Sequence, residues 1–127
     1  MCAANKKSRV REYKRWGKSE EDLRGQNPEQ EQLLDDSIAK KVPTDLLESM
    51  PAFPADAKLA TRKAGSEVLQ PLAKALPFLI SGSADLHGST LNYIEGGGDF
   101  TRDNRQGRNI HFGIREHDMC ALMHGIA

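Results

Sequence analysis

An α/β fold, a parallel sheet preceded by a helical connector, is what the sequence predicts, and three observations carry that reading. Beyond residue 54 the apolar pattern runs helix, strand, loop, strand, helix, the order from which parallel sheets are built. The two strand candidates, Phe78-Leu-Ile-Ser-Gly-Ser-Ala84 and Ile110 to Ile114, are short runs that suit burial inside such a sheet. Before them stands Pro51-Ala-Phe-Pro54, where two prolines without backbone donors force an extended linker. The boundary is therefore set at residue 54. Residues 1–54 form a helical, polar connector, and residues 55–127 form the N-terminal part of a domain whose sheet is incomplete by Ala127.

The connector begins basic, Lys6 to Arg15, and turns largely acidic and polar from Glu20 to Asp36, with few apolar residues. Asn27-Pro28 opens a helix through Leu33, Leu34, Ile38 and Ala39, whose narrow apolar stripe suits lying on another domain. Leu46, Leu47 and Met50 make a short apolar turn. After the linker, Thr61 is placed to cap a helix with Val68, Leu69, Leu72, Ala73 and Leu76 on one face, ending at Pro77. Pro71 falls inside it and should kink or shorten it. The strand at Phe78 leads into a small-residue turn, where an α/β sheet usually exposes functional loops, with Asp85 and Ser89 just beyond. Leu91 to Ile94 is ambiguous, and Gly96 through Gly107 is a polar, glycine-containing loop. The final helix carries Met119, Leu122, Met123 and Ile126 at helical spacing, with Glu116 at its start.

Composition removes several function classes. Lys+Arg 18 against Asp+Glu 18 gives a formal net charge of +0, so no global field recommends nucleic acid or an anionic membrane. Cys2 and Cys120 are too few and too far apart for a disulfide framework, which suits a reducing cytoplasm, and Cys120 is read as packing. No apolar run reaches bilayer length, and the first residues lack the apolar stretch of a signal peptide. His111 on the strand and His117 and His124 on the helix lack cysteine or carboxylate partners at metal-ligand spacing, so no metal site is expected. Gly96-Gly-Gly-Asp99 lacks the lysine and hydroxyl of a P-loop.

On spacing alone Glu116 can simply balance the helix dipole, Arg62 can face solvent, and Asp85 can cap a turn. A functional reading stays open for each. A guanidinium near a helix start can fork onto phosphate oxygens, and a helix N-terminus adds donors.

Four pieces in order, Ala60-Thr-Arg-Lys-Ala64, Ile80-Ser-Gly-Ser-Ala-Asp-Leu86, Gly107-Arg-Asn-Ile-His-Phe112 and the Arg115-Glu-His117 triplet, closely resemble the pyrimidine-binding domain of transketolase. The resemblance implies that Glu116 is catalytic and contacts the aminopyrimidine of thiamine diphosphate, since a carboxylate kept from water can share a proton with a ring nitrogen. It implies Asp85 as a second cofactor-site residue and Arg62 and Ser89 as ligands of the sugar phosphate. The implied reaction is transfer of a two-carbon ketol unit between sugar phosphates in the pentose phosphate pathway. The implied assembly is a cytoplasmic homodimer holding thiamine diphosphate and Mg2+ or another divalent cation. The family's Gly-Asp-Gly and asparagine ligands for the diphosphate and metal do not occur here, nor do the aromatic residues that stack on the pyrimidine. The chain is therefore expected to be a piece of such an enzyme, inactive alone. Many members read Ala-Asp-Leu-Thr-Pro-Ser-Asn where this chain reads Ala84-Asp-Leu-His-Gly-Ser-Thr90, a more flexible turn that retains the serine. His87 there can assist phosphate binding or be locally hydrogen-bonded. Two rival functions are a dihydroxyacetone synthase-like enzyme, which shares the architecture, and a non-catalytic interaction module docking through its helical first half.

Overall fold

The computed structural model describes residues 2–126 and divides into two compact units, Met1–Lys41 and Val42–Ala127. In the first unit, α1 (Cys2–Gln26) is a long charged helix without a marked apolar stripe, and α2 (Pro28–Ile38) starts with proline at its first position. Helices so polar need tertiary partners beyond propensity. Arg24 supplies one. Its guanidinium reaches Glu20 at 3.0 Å and, across to α2, Asp35 at 2.7 Å. The acidic block thus neutralises a charge on α1 through side chains that the one-dimensional pattern kept apart.

The second unit opens with a 3-10 turn at Leu46–Ser49 and an irregular proline stretch, then enters α3 (Thr61–Ala75). Ala60 caps α3 and Thr61 is its first helical residue, without a side-chain cap, so the expected threonine cap is not made. Pro71 does not shorten the helix either: α3 runs through it to Ala75, forgoing one backbone bond while Ala73 and Leu76 sink into the core. Arg108 closes the far end. It donates from Nη2 to the carbonyls of Ala73 (2.9 Å) and Leu76 (2.8 Å) and from Nε to Leu79 (2.8 Å), covering acceptors a helix leaves unpaired.

The sheet is parallel and has two strands, β1 (Ser81–Ser83) and β2 (Asn109–His111), with Ser81 opposite Asn109 and Ser83 opposite His111. Both are shorter than the expected runs. Ile80 and Ile114 fall outside them, and Ile114 is 80% exposed. Gly82 is required by a close approach: a Cβ there would lie 2.5 Å from Cε2 of Phe112. A single helical turn, α4 (His87–Thr90), precedes the ambiguous stretch Leu91 to Ile94, which is irregular and begins with Leu91 in a left-handed conformation, φ 56°.

Asn109 is completely buried, and it organises the glycine-rich loop. Its Oδ1 accepts from the N–H of Ile94 (2.8 Å), while Nδ2 donates to the carbonyls of Ile94 and Gly98, both at 3.0 Å. Gln70 on α3 works similarly, donating to the carbonyl of Tyr93 (2.8 Å) and accepting from the N–H of Glu95 (3.0 Å). Two amide side chains therefore satisfy backbone groups at Tyr93, Ile94 and Glu95, while the loop's Gly98 and Phe100 also bond the backbone of Asn109.

The last helix, α5 (Glu116–Ile126), buries no residue fully. Leu122, Met123 and Ile126 are more than half exposed, and Cys120 is exposed as well, which corrects its reading as a packing residue. Between α5 and the sheet lies a cleft of about 370 Å³ whose walls include Ile80, Ile110, Phe112, Met119 and Met123.

Candidate functional site

Parallel pairing sends both strands out of the same edge of the sheet, so the segments after Ser83 and His111 leave side by side. Asp85 lies two positions past the end of β1, and Glu116 opens α5 shortly after β2.

The segment after β1 is closely tied. Ser83 Oγ accepts the N–H of Leu86 at 2.9 Å, closing a turn in which Asp85 adopts a left-handed φ of 65° and is exposed. Ser89 sits on α4, exposed, with its hydroxyl 3.3 Å from the carbonyl of Leu86. Arg62, in the first turn of α3, donates from Nη1 to the main-chain oxygen of Ser89 at 3.4 Å. Arg62 and Ser89 are thus brought together across 27 positions of sequence, with the guanidinium's remaining donors open to solvent.

Asn92 anchors the turn. Its Nδ2 donates to the carbonyl of Gly82 at 2.9 Å, which fixes the amide's orientation, and its Oδ1 faces Nδ1 of His87 at 2.9 Å. The half-buried His87 is therefore locally hydrogen-bonded, and its ring also packs on Tyr93 (5.5 Å between centroids) and His111 (4.8 Å).

The segment after β2 turns at Gly113, φ 66°, and Arg115 folds back to donate to the carbonyl of Phe112 at 2.8 Å. The carbonyl of Arg115 accepts the first helical bond, from Met119 at 2.9 Å, so Glu116 stands in the first turn of α5, where a carboxylate meets the positive end of the helix dipole. Glu116 is exposed, in contrast to the water-excluded setting the resemblance implied, while Met119 and Met123 further along α5 wall the apolar cleft. Among the described residues no hydrogen bond or ion pair joins Glu116 to Arg62, Asp85 or Ser89.

A cluster that the sequence did not announce lies behind these loops. Asp99 accepts from the hydroxyl of Tyr93 (2.8 Å) and pairs with Nε2 of His111 (2.9 Å). These bonds, that to His111 first, hold the Asp99 carboxyl below the usual carboxylate range, and the carboxylate in turn pushes the Tyr93 phenol up. His111 has a carboxylate partner after all, 12 residues upstream. Nothing in the spacing signals it, because a glycine-rich loop folds Asp99 back onto β2 through an isolated bridge to Asn109. Among the described residues no group of three or more His, Cys, Asp or Glu side chains is placed to hold a metal ion, and no helix is long and apolar enough to cross a membrane.

Two segments leaving the carboxyl edge of a parallel sheet, one met by an arginine from the start of α3 and the other carrying a carboxylate, define an α/β domain of the kind whose ligands bind at that edge. Residues 57–127 match the family described as the transketolase, pyrimidine binding domain, and the chain belongs to that family. Over 98% of its length it is 56% identical to the transketolase of Physarum polycephalum, and over 91% it is 51% identical to that of Dictyostelium discoideum. It superposes on a crystal structure of transketolase from Pichia stipitis in complex with sedoheptulose 7-phosphate with a TM-score of 0.73, at 35% identity, over 90% of this chain and 18% of that one. The chain spans 19% of the Physarum relative and 17% of the Dictyostelium one.

Proposed function

We propose that this chain contributes the pyrimidine side of a thiamine-diphosphate site in a transketolase, the enzyme moving a two-carbon ketol unit from a ketose phosphate to an aldose phosphate. The observation that carries the reading is the placement of Glu116 and Asp85 beyond the same edge of the sheet, in a chain 56% identical to a transketolase. The residues present fit the cofactor's ring. An acceptor carboxylate, Glu116, opens the helix whose Met119 and Met123 wall a cleft that also includes Phe112, and a carboxylate with an apolar, aromatic-walled cleft is what holding an aromatic heterocycle and sharing a proton with its nitrogen require. When bound, thiamine diphosphate supplies the carbon nucleophile and the electron sink. Glu116 holds the proton at the ring nitrogen, and Asp85 lines the cofactor region from the neighbouring turn. Exclusion of water from Glu116 strengthens its hydrogen bond, so the exposed stripe of α5 is read as a surface covered in the complete enzyme.

Arg62 and Ser89 are assigned to the sugar phosphate, the guanidinium by paired N–H donors and the serine by its hydroxyl. Mg2+ or another divalent ion and the cofactor's diphosphate are assigned to ligands outside this chain, across a homodimer interface, in the cytoplasm. The domain boundary is assigned to residue 54, with residues 1–54 as interdomain connector and residues 55–127 as the pyrimidine domain's first part.

The test uses the whole enzyme formed when this chain replaces the matching segment of the Physarum relative. Glu116→Ala is expected to lower ketol transfer roughly a hundredfold or more. Undiminished transfer in that variant removes the catalytic assignment. Acceptor choice in the same chimera, aldose phosphate against formaldehyde, separates transketolase from a dihydroxyacetone synthase.

A further inference from the structure

The turn bearing Ser89 contains His87-Gly88, a flexible pair, yet it is tied by side-chain hydrogen bonds through Asn92. His87 explains this. The Gly82 carbonyl can only accept, so the Asn92 amide presents Nδ2 to it and Oδ1 to the imidazole, and His87 Nδ1 must carry the proton it donates. Thr90 Oγ1 also lies 2.8 Å from Asn92 Oδ1 but 2.7 Å from the carbonyl of Leu86, and its single proton serves one of them at a time. His87 is thus the only partner of that oxygen with a dedicated donor. On its far side the ring meets β2 edge-on through His111, with Nε2 3.4 Å from the carbonyl of Ile110, and it packs on Tyr93. One imidazole therefore ties the start of α4 to the end of the turn and to the neighbouring strand.

We propose that His87 is a positioning residue for phosphate recognition: by locking α4 against Asn92 and β2, it fixes the Ser89 hydroxyl and the main-chain oxygen on which Arg62 rests, so that both aim at one anion. It does not touch the phosphate itself. This rests on the assignment of Arg62 and Ser89 given above. Its consequence is a selective one. Loosening the turn weakens the hold on a phosphorylated sugar and leaves the reacting end of the substrate alone.

The experiment uses the same chimeric enzyme, comparing a ketose phosphate donor with an unphosphorylated ketose. His87→Ala is expected to raise KM for the phosphorylated donor about three- to tenfold, the worth of one or two hydrogen bonds, with kcat and the KM of the unphosphorylated donor unchanged. His87→Asn, whose amide nitrogen falls near the place of Nδ1, is expected to restore most of that loss, and His87→Gln, whose donor reaches too far, is not. Equal loss for both donors, no loss, or equal rescue by Asn and Gln overturns the proposal. If the alanine variant does not accumulate, the Asn and Gln pair decides by the same criterion. Arg62→Leu separates the two readings: if it leaves the phosphorylated donor's KM unchanged, the phosphate assignment itself fails, whereas a rise there with no change in His87→Ala sinks only the role of His87.

Discussion

The turn after β1 and the segment after β2 leave the same edge of the sheet, yet they are secured differently. The first is fastened by Ser83, His87 and Asn92, with backbone and side-chain bonds closing on one another inside the chain. Among the described residues the second has one side-chain tie, Arg115 to the carbonyl of Phe112, before entering a helix that buries nothing fully. The half assigned above to the substrate's phosphate is internally fastened, and the half assigned to the cofactor ends in a helix with an uncovered apolar stripe. Polar networks can be completed locally, whereas an apolar stripe is completed only by another apolar surface.

Perturbing the buried polar network that ties the glycine-rich loop and the end of α3 to β2 should likewise cost far more stability in the isolated chain than perturbing the uncovered helix α5. Asn109→Leu should cost about 3 kcal/mol in urea denaturation, because it strands the buried N–H of Ile94 and removes the bonds to the carbonyls of Ile94 and Gly98. Gly107→Ala should cost about 2–3 kcal/mol by the same measurement, since its methyl would meet the backbone of Asp99 and push the loop off β2. Arg108→Met keeps the apolar stem but leaves the end of α3 uncapped, and about 2 kcal/mol is expected. Acid should act through Asp99. Its carboxyl is held low by His111 and Tyr93, so its contribution is present above about pH 4, where the unfolded carboxylate is ionised, and is lost as pH falls through the lower folded value. Asp99→Asn should flatten that part of the stability–pH curve, and an unchanged slope would show that the cluster does not hold the loop. On the other side, Leu122→Gln should shift the chain's stability by less than about 0.5 kcal/mol. A large loss there would mean that α5 is already covered in the isolated chain and would erase the contrast.

Much of the architecture was legible in the residues. Pro28 marked a helix start, the alternation of apolar runs marked a parallel pair, and Leu72 to Leu76 marked the face that α3 turns inward. Local chemistry writes those signals. Strand length was overestimated, because Ile80 and Ile114 read as interior residues although among the described residues no third strand covers them. The roles of Arg24, Gln70, Arg108 and Asn109 were not legible. Each bonds a group brought near by tertiary folding, and nothing in a polar side chain's own neighbourhood says which distant carbonyl it will find. Of the candidate site, the pairing of Arg62 with Ser89 was visible only through family resemblance, and the Asp99–His111 pair was not visible at all.

Gln70 and Asn109 together have an evolutionary corollary. They stitch the backbone at Tyr93, Glu95, Ile94 and Gly98, so both feet of the long glycine-rich excursion are nailed down before residue 101. Residues 101–106 close through Thr101 and Asn104, whose amide also reaches back to the carbonyl of Asp99. Doubling such a loop costs only about 0.6 kcal/mol in chain entropy, so lineages are free to lengthen, shorten or decorate this stretch without moving either strand or the edge they share.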